Sequence, residues 1–226
     1  MARQLTLELP VRAALGRDDF FVSDANAAAV ARIEDWANWP LGKLALIGPP
    51  GSGKTHLAHV WASLSGGEVV PLADVGRLDP GALTGPLAID GLGDALPAET
   101  ETLLFHIHNA LAAAGLPLLL TGQSGPARWP IALPDLASRF SAADIARIEA
   151  PDDALLAAVL LKLFSDRQLL VSPMLVQWLT GRIERSFEAA RQVVATLDEA
   201  ALAAGKPITR AFAATVLDLG TQGSTP

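Results

Sequence analysis

The sequence predicts an α/β fold: a parallel five-stranded sheet with helices on both faces, followed by an all-helical C-terminal domain. Three observations predict it. Short apolar runs bounded by turn residues alternate with helix-periodic segments between about residues 26 and 150. A phosphate-loop signature joins the first of those runs to the helix after it. From Pro151 onward, helical segments follow one another with no strand between them.

The elements follow in order. Ser23 to Asn26 offers several caps for a helix running to about Trp36, and Trp39-Pro40 closes it. LALI, residues 44–47, is a short apolar run that stops at Gly-Pro-Pro-Gly, the pattern of a buried strand. A helix over about 53–64 follows. Further strands are expected at 68–72, 86–90, 116–122 and 144–150. Residues 98–114 carry helical periodicity, with Leu103, Leu104, Ile107 and Leu111 on one side. The C-terminal helices are expected at 152–167, 173–182, 186–204 and 207–218. The resulting division is an extended N-terminal segment over 1–12, an α/β domain over 13–150, a helical domain over 151–218 and a disordered tail over 219–226.

Composition bounds the function. Of the 226 residues 50% are hydrophobic but only 5% are aromatic and none is Tyr, so aliphatic side chains and Ala must fill the core. A net charge of −7 lacks the basic footprint that DNA phosphates require, so sequence-specific DNA binding is not expected. There is no Cys, which excludes disulfides and thiolate metal sites. The N-terminus does not read as a signal peptide and the apolar runs are too short to cross a bilayer, so a cytoplasmic protein is expected. His56 and His59, and later His106 and His108, are spaced as ordinary helix positions rather than as a metal site.

The strongest signal is GPPGSGKT at residues 48–55, a full match to G-x-x-x-x-G-K-[ST] between a strand and a helix. The chemistry explains the residue types. Glycines let the backbone close around a phosphate, and amides at a helix N-terminus face the anion. Lys54 is expected at the β- and γ-phosphates and Thr55 at Mg2+. The bland alternative is a Gly/Pro turn that happens to precede a helix. In PLAIDG, Asp90 ends an apolar strand and can hold the Mg2+ shell through water, or simply cap the strand. Many such ATPases place a second acid next, to polarise the attacking water; here the residue is Gly91, and Asp94 is out of register. Nucleotide binding is expected, efficient intrinsic hydrolysis is not.

Several segments together carry a resemblance. FFVSDANAAAV precedes the phosphate loop, and GSGKTHLAH, LLLTGQSGPARW, LPDLASRF and RQVVATLD follow at intervals along the chain. From about residue 4 to 218 they resemble the DnaA-related AAA+ P-loop NTPases, and within that family the Hda group of regulators that inactivate the initiator. The resemblance implies ADP, or ATP, with Mg2+ as ligand. It implies that Phe21 packs near adenine, with Pro50, Gly51, Ser52, Gly53, Lys54, Thr55 and His56 around the phosphates. Thr121 would be the sensor-1 residue and Arg191 the sensor-2 arginine of a helical lid, with Arg182 and Arg185 as competitors for the lid role. Arg139 would be an arginine finger offered in trans to a neighbour's γ-phosphate; read without the family, it is a surface arginine following a helix.

The same likeness gives the opening QLTLELP a role. It is similar to a clamp-binding peptide, with Gln4 in a polar subsite and Leu5, Leu7 and Leu9 in an apolar groove of the DNA polymerase sliding clamp. Its alternatives are an edge strand of this protein's own sheet or an arm that forms a homodimer. The function implied is negative regulation of replication initiation: docked on the DNA-loaded clamp, the ADP-bound protein would stimulate ATP hydrolysis by DnaA. The alternative is a self-sufficient AAA+ ATPase, such as a helicase loader or another DnaA paralogue.

Overall fold

The computed structural model describes residues 20–222. Among them, five parallel strands form one sheet: β1 (Lys43–Ile47), β2 (Glu68–Pro71), β3 (Leu87–Leu92), β4 (Leu118–Gly122) and β5 (Asp144–Arg147), in the order β2-β3-β4-β1-β5. The strands expected at 116–122 and 144–150 are shorter at one end. The connections are α1 (Ala27–Glu34) before β1, α2 (Lys54–Ser65) after it, α3 (Ala98–Ala114) between β3 and β4, and α4 (Pro134–Ser141) between β4 and β5.

The pleat explains the two covered faces. Alternate residues point to opposite sides of a strand. Leu44 and Leu46 of β1, Ala88 of β3 and Leu119 of β4 pack with α1 and α2 through Ile33, Leu57 and Trp61. Leu87 and Ile89 of β3 and Leu118 and Leu120 of β4 turn the other way, onto Leu104, Ile107, Leu136 and Phe140 of α3 and α4. β1 and β4 are buried along their whole length, which is why they read as apolar runs rather than as alternation. Each such side chain contributes about 1.5–3 kcal/mol by leaving water. Trp39 and Trp61, apparently scattered in the sequence, stack at 5.6 Å inside the first of these cores.

Four more helices follow among the described residues: α5 (Asp153–Asp166), α6 (Pro173–Thr180), α7 (Phe187–Ala204) and α8 (Arg210–Gln222). Asp152, Ser172 and Ser186 start α5, α6 and α7 by accepting the amide N–H of Leu155, Leu175 and Ala189. Leu156, Leu160, Phe164, Leu179, Val194 and Leu197 bury a common core. α8 continues four residues past the expected end at 218, into the segment expected to be a disordered tail. Phe212, Val216 and Leu217 lay one of its faces on that core. No helix among the described residues is long and apolar enough to cross a membrane.

The lower end of the sheet holds a buried polar cluster. Lys43 opens β1 at 7% exposure, and its ammonium donates to the Arg139 carbonyl at 2.8 Å and lies 3.2 Å from Nε2 of His108. Burial first, then the Arg139 charge, lowers the Lys43 pKa. Burial and then the Lys43 charge hold His108 below its ordinary value, and Arg139 adds to this while Asn109 opposes it. His108 therefore stays neutral in the fold at a pH where the unfolded chain takes up a proton. The expected result is stability that falls as pH drops below about 6.5, and continues to fall until the lowered folded value is passed. Denaturant unfolding of the wild type and of His108→Gln checks this, since the difference between the two curves should carry that slope.

Candidate nucleotide-binding site

Two adjoining cavities open where β1, β3 and β4 end, the place where an open parallel sheet presents its loops. The smaller, about 390 Å³, is lined by Pro50, Lys54 and Thr55 of the phosphate loop, by Asp90 and Asp94, and by Thr121. The larger, about 580 Å³, is lined by Phe21, Gly51, Ser52, Gly53, His56 and Arg191 among others. The candidate nucleotide residues of the sequence thus divide cleanly between one polar and one largely apolar compartment.

The loop's shape comes from its glycines. Gly53 takes φ +89° as the residue before α2, and Gly51 takes φ +73°. A side chain on Gly51 would run into the Arg191 guanidinium, and one on Gly53 would come within 2.8 Å of the Phe20 ring. Both positions need positive φ and both need the space a missing Cβ leaves. The first turn of α2 then presents amides that have no partner further up the helix, as an anion site requires.

The polar compartment is built on β3 and β4. The Asp90 carboxylate accepts the Thr55 hydroxyl at 2.8 Å on one oxygen and the Thr121 hydroxyl at 2.5 Å on the other. Thr121 is fully buried and also accepts the Gly91 amide N–H at 3.0 Å. Thr121 thus braces Asp90, while Thr55 and Asp90 stand together as hard oxygen donors suited to a water-clad Mg2+. Asp90 lies within β3 rather than ending it, because the strand continues to Leu92 through an irregularity between Ile89 and Leu92. Gly91 sits on that irregularity at φ +99°, a backbone shape that strains any acidic side chain placed there.

The cations converge from two directions. Lys54 Nζ donates to the carbonyls of Gly48 and Pro49, both at 2.8 Å, and so lies across the loop. Its pKa is lowered, chiefly by burial; Asp90 opposes the shift and the Arg191 charge adds to it. Arg191 reaches the loop from α7 and keeps a 3.0 Å ion pair with Glu188. The competing arginines are turned elsewhere. Arg182 stacks 4.5 Å over Trp178, and Arg185 pairs with Asp153 at 2.9 Å. Two partly desolvated cations at one glycine loop form a site that a polyphosphate would relieve. Ser52, 4% exposed, adds a hydroxyl with no partner among the described residues. The donor set therefore fits a phosphate chain, and the oxygen pair fits its metal.

The apolar compartment includes residues that sequence reasoning missed. Phe20 lies edge-on to His56 at 5.2 Å, beside Phe21, which is half exposed. The FF pair signalled an aromatic wall without telling which ring would face the loop. Asn26 is buried and fixes the bend below them, donating to the Phe21 carbonyl and accepting the Ser23 amide N–H, both at 2.9 Å. Leu155, Val159 and Phe187 close the far wall from α5 and α7. Their spacing is that of an ordinary core stripe, so nothing local marked them.

This arrangement of sheet, loop and helices is similar to domain III of the replication initiation protein DnaA from Thermotoga maritima, with TM-score 0.72 at 18% identity, over 93% of this chain and 98% of that one. The chain has the fold of DnaA domain III. It is also similar to DnaA from Aquifex aeolicus bound to AMPPCP, with TM-score 0.60 at 16% identity, over 80% of this chain and 64% of that one. The Holliday junction branch migration motor RuvB of Thermotoga maritima matches with TM-score 0.54 at 19% identity, over 78% of this chain and 61% of that one. The chain thus spans less than two thirds of those longer DnaA and RuvB structures. No family model matches it.

Arg139 lines neither cavity. It is exposed in the last turn of α4, inside the helix rather than after it, with its guanidinium 5.0 Å over the Phe105 ring. His59 and His106 lie on α2 and α3 outside both cavities, and no group of three metal-ligating side chains is found among the described residues. Gln4, Leu5, Leu7 and Leu9 lie outside the described residues.

Proposed function

We propose that the chain holds a purine nucleotide with Mg2+ between the DnaA-like sheet and a helical lid formed by α5–α8. The observation that carries this reading is the meeting of Lys54 and Arg191 at one glycine loop, beside an Asp90–Thr55 oxygen pair. Lys54 and the α2 amides would hold the phosphates, Arg191 would tie the lid to them, and Thr55 and Asp90 would hold the metal shell. The bound metal supplies charge neutralisation to the phosphates. Phe20, Phe21 and the α5 wall would take the base. The absence of an acid at Gly91, with its positive φ, supports a diphosphate kept as a structural ligand rather than turned over.

The finer reading is regulatory. We infer that the ADP-bound protein docks on the DNA-loaded sliding clamp through Gln4, Leu5, Leu7 and Leu9 and presents Arg139 to ATP-bound DnaA. Hydrolysis there would lower the initiator's activity and prevent re-initiation. The exposure of Arg139 and its distance from the chain's own cavities support a role toward another molecule. A pulldown on the sliding clamp tests the docking step, with nucleotide content measured in the same sample. The wild type is expected to be retained with ADP, and Gln4→Ala with Leu7→Ala is expected to abolish retention while leaving the nucleotide in place. Undiminished clamp binding by that double variant would refute the docking. Robust ATP turnover by the isolated protein would favour a self-sufficient ATPase instead.

A further inference from the structure

Three side chains on one face of α3 meet α4 or the residues entering it. Glu101, only 2% exposed, accepts the amide N–H of Ala132 at 2.9 Å and of Leu133 at 2.7 Å, the two residues leading into Pro134. Phe105, one turn on, is half-buried against the sheet core and lies under the Arg139 guanidinium at 5.0 Å. His108, nearly one turn further, is buried beside the Lys43 ammonium that binds the Arg139 carbonyl. α4 is therefore pinned at its entry by a carboxylate and at its last turn by an ammonium. These hydrogen bonds tie a short helix to residues distant in the chain, each favoured because a buried charge needs a partner.

Between those two pins the Arg139 side chain is the longest group pointing outward. A free arginine there would sample many rotamers and lose that freedom on meeting an anion. A guanidinium over a ring face is held electrostatically. We propose that Phe105 is a positioning residue for Arg139: its ring, on a helix locked to α4 by Glu101 and Lys43, preorganises the guanidinium for an anionic group on a second molecule. This rests on the regulatory reading above for the identity of that group, a neighbour's nucleotide γ-phosphate. The preorganisation itself rests only on the contacts given.

The ring is exchanged without emptying the space. Phe105→Leu keeps apolar bulk and removes the π face; Phe105→Tyr keeps both. Two readouts are taken on the full chain: the NMR order parameter of the Arg139 Nε–H, and the stimulated ATPase of ATP-loaded DnaA with clamp and DNA. Phe105→Leu is expected to lower the order parameter and to cut the maximal stimulated rate by about threefold to fivefold, with the half-saturating concentration unchanged. Phe105→Tyr is expected to restore both. A lost packing contact alone would shift the melting temperature but would leave Arg139 as ordered as before. An unchanged order parameter in Phe105→Leu, or a folded Phe105→Tyr that fails to restore it, overturns the proposal. Arg139→Ala run in parallel separates the two claims. If Arg139→Ala leaves the stimulated rate intact, the regulatory reading fails, while the order parameter still decides whether Phe105 positions the guanidinium.

Discussion

Lys54→Ala is expected to weaken ADP binding by about 30-fold or more, as calorimetry with Mg2+ would record it. Removing one partner of a desolvated charge pair costs about 2–5 kcal/mol, and each 1.4 kcal/mol is tenfold in affinity. Lys54 opens α2 directly after the loop, and its ammonium already rests on the Gly48 and Pro49 carbonyls. It needs little rearrangement to meet a phosphate. The nucleotide-free protein should respond differently. Burial lowers the Lys54 pKa, so the empty fold bears a desolvation cost that alanine removes, while the two carbonyls lose their donor. These effects oppose, so the melting temperature without ligand should move little. What should vanish is the rise that saturating ADP confers on the wild type, since only a ligand bound to the native state stabilises it. Equal heats of binding for wild type and Lys54→Ala would sink the nucleotide reading and with it the roles given to Arg191 and Asp90.

Arg139→Ala is expected to abolish stimulation of DnaA while leaving ADP binding and clamp retention intact. An arginine finger supplied from outside stabilises the charge that develops on the transferred phosphoryl group, worth about 10³–10⁵ in rate in other NTPases. A loss of about 10³ in the maximal stimulated rate is the minimum expected. The separation of readouts follows from position. Arg139 lines neither cavity, and its side chain touches Phe105 rather than the phosphate loop. Its carbonyl, which binds Lys43, remains in the alanine variant, so the α4 anchor survives. Arg139→Lys is expected to recover little, because an ammonium cannot bridge two phosphate oxygens as a planar guanidinium does. A parallel loss of ADP affinity in Arg139→Ala would show that the residue serves this chain's own site.

Much of the molecule was legible in order along the chain. The strand–loop–helix unit around residues 48–55 declares itself because its demands are local: a buried apolar run, glycines where φ must be positive, a lysine at the helix start. The boundaries of the expected strands and helices came within a few residues for the same reason, since apolar periodicity reflects which side of each element is covered, but α4 was not among the expected helices. α8 ends four residues beyond the expected 218.

The sequence by itself determined the parallel α/β layering, the helical C-terminal part and the phosphate loop, since each is written in residues a few positions apart. Only the tertiary structure decided which arginine reaches the loop. Arg182, Arg185 and Arg191 are chemically alike, and the ring of Trp178 and the carboxylate of Asp153 take the first two. It likewise decided that Thr121 braces Asp90 across 31 positions, that Phe20 lines the apolar cavity, and that Glu101 and Lys43 fasten α4 from beneath. These are pairings of a charge or a hydroxyl with a partner distant in the chain. Their energy comes from shared burial, and shared burial exists only once the layers have packed.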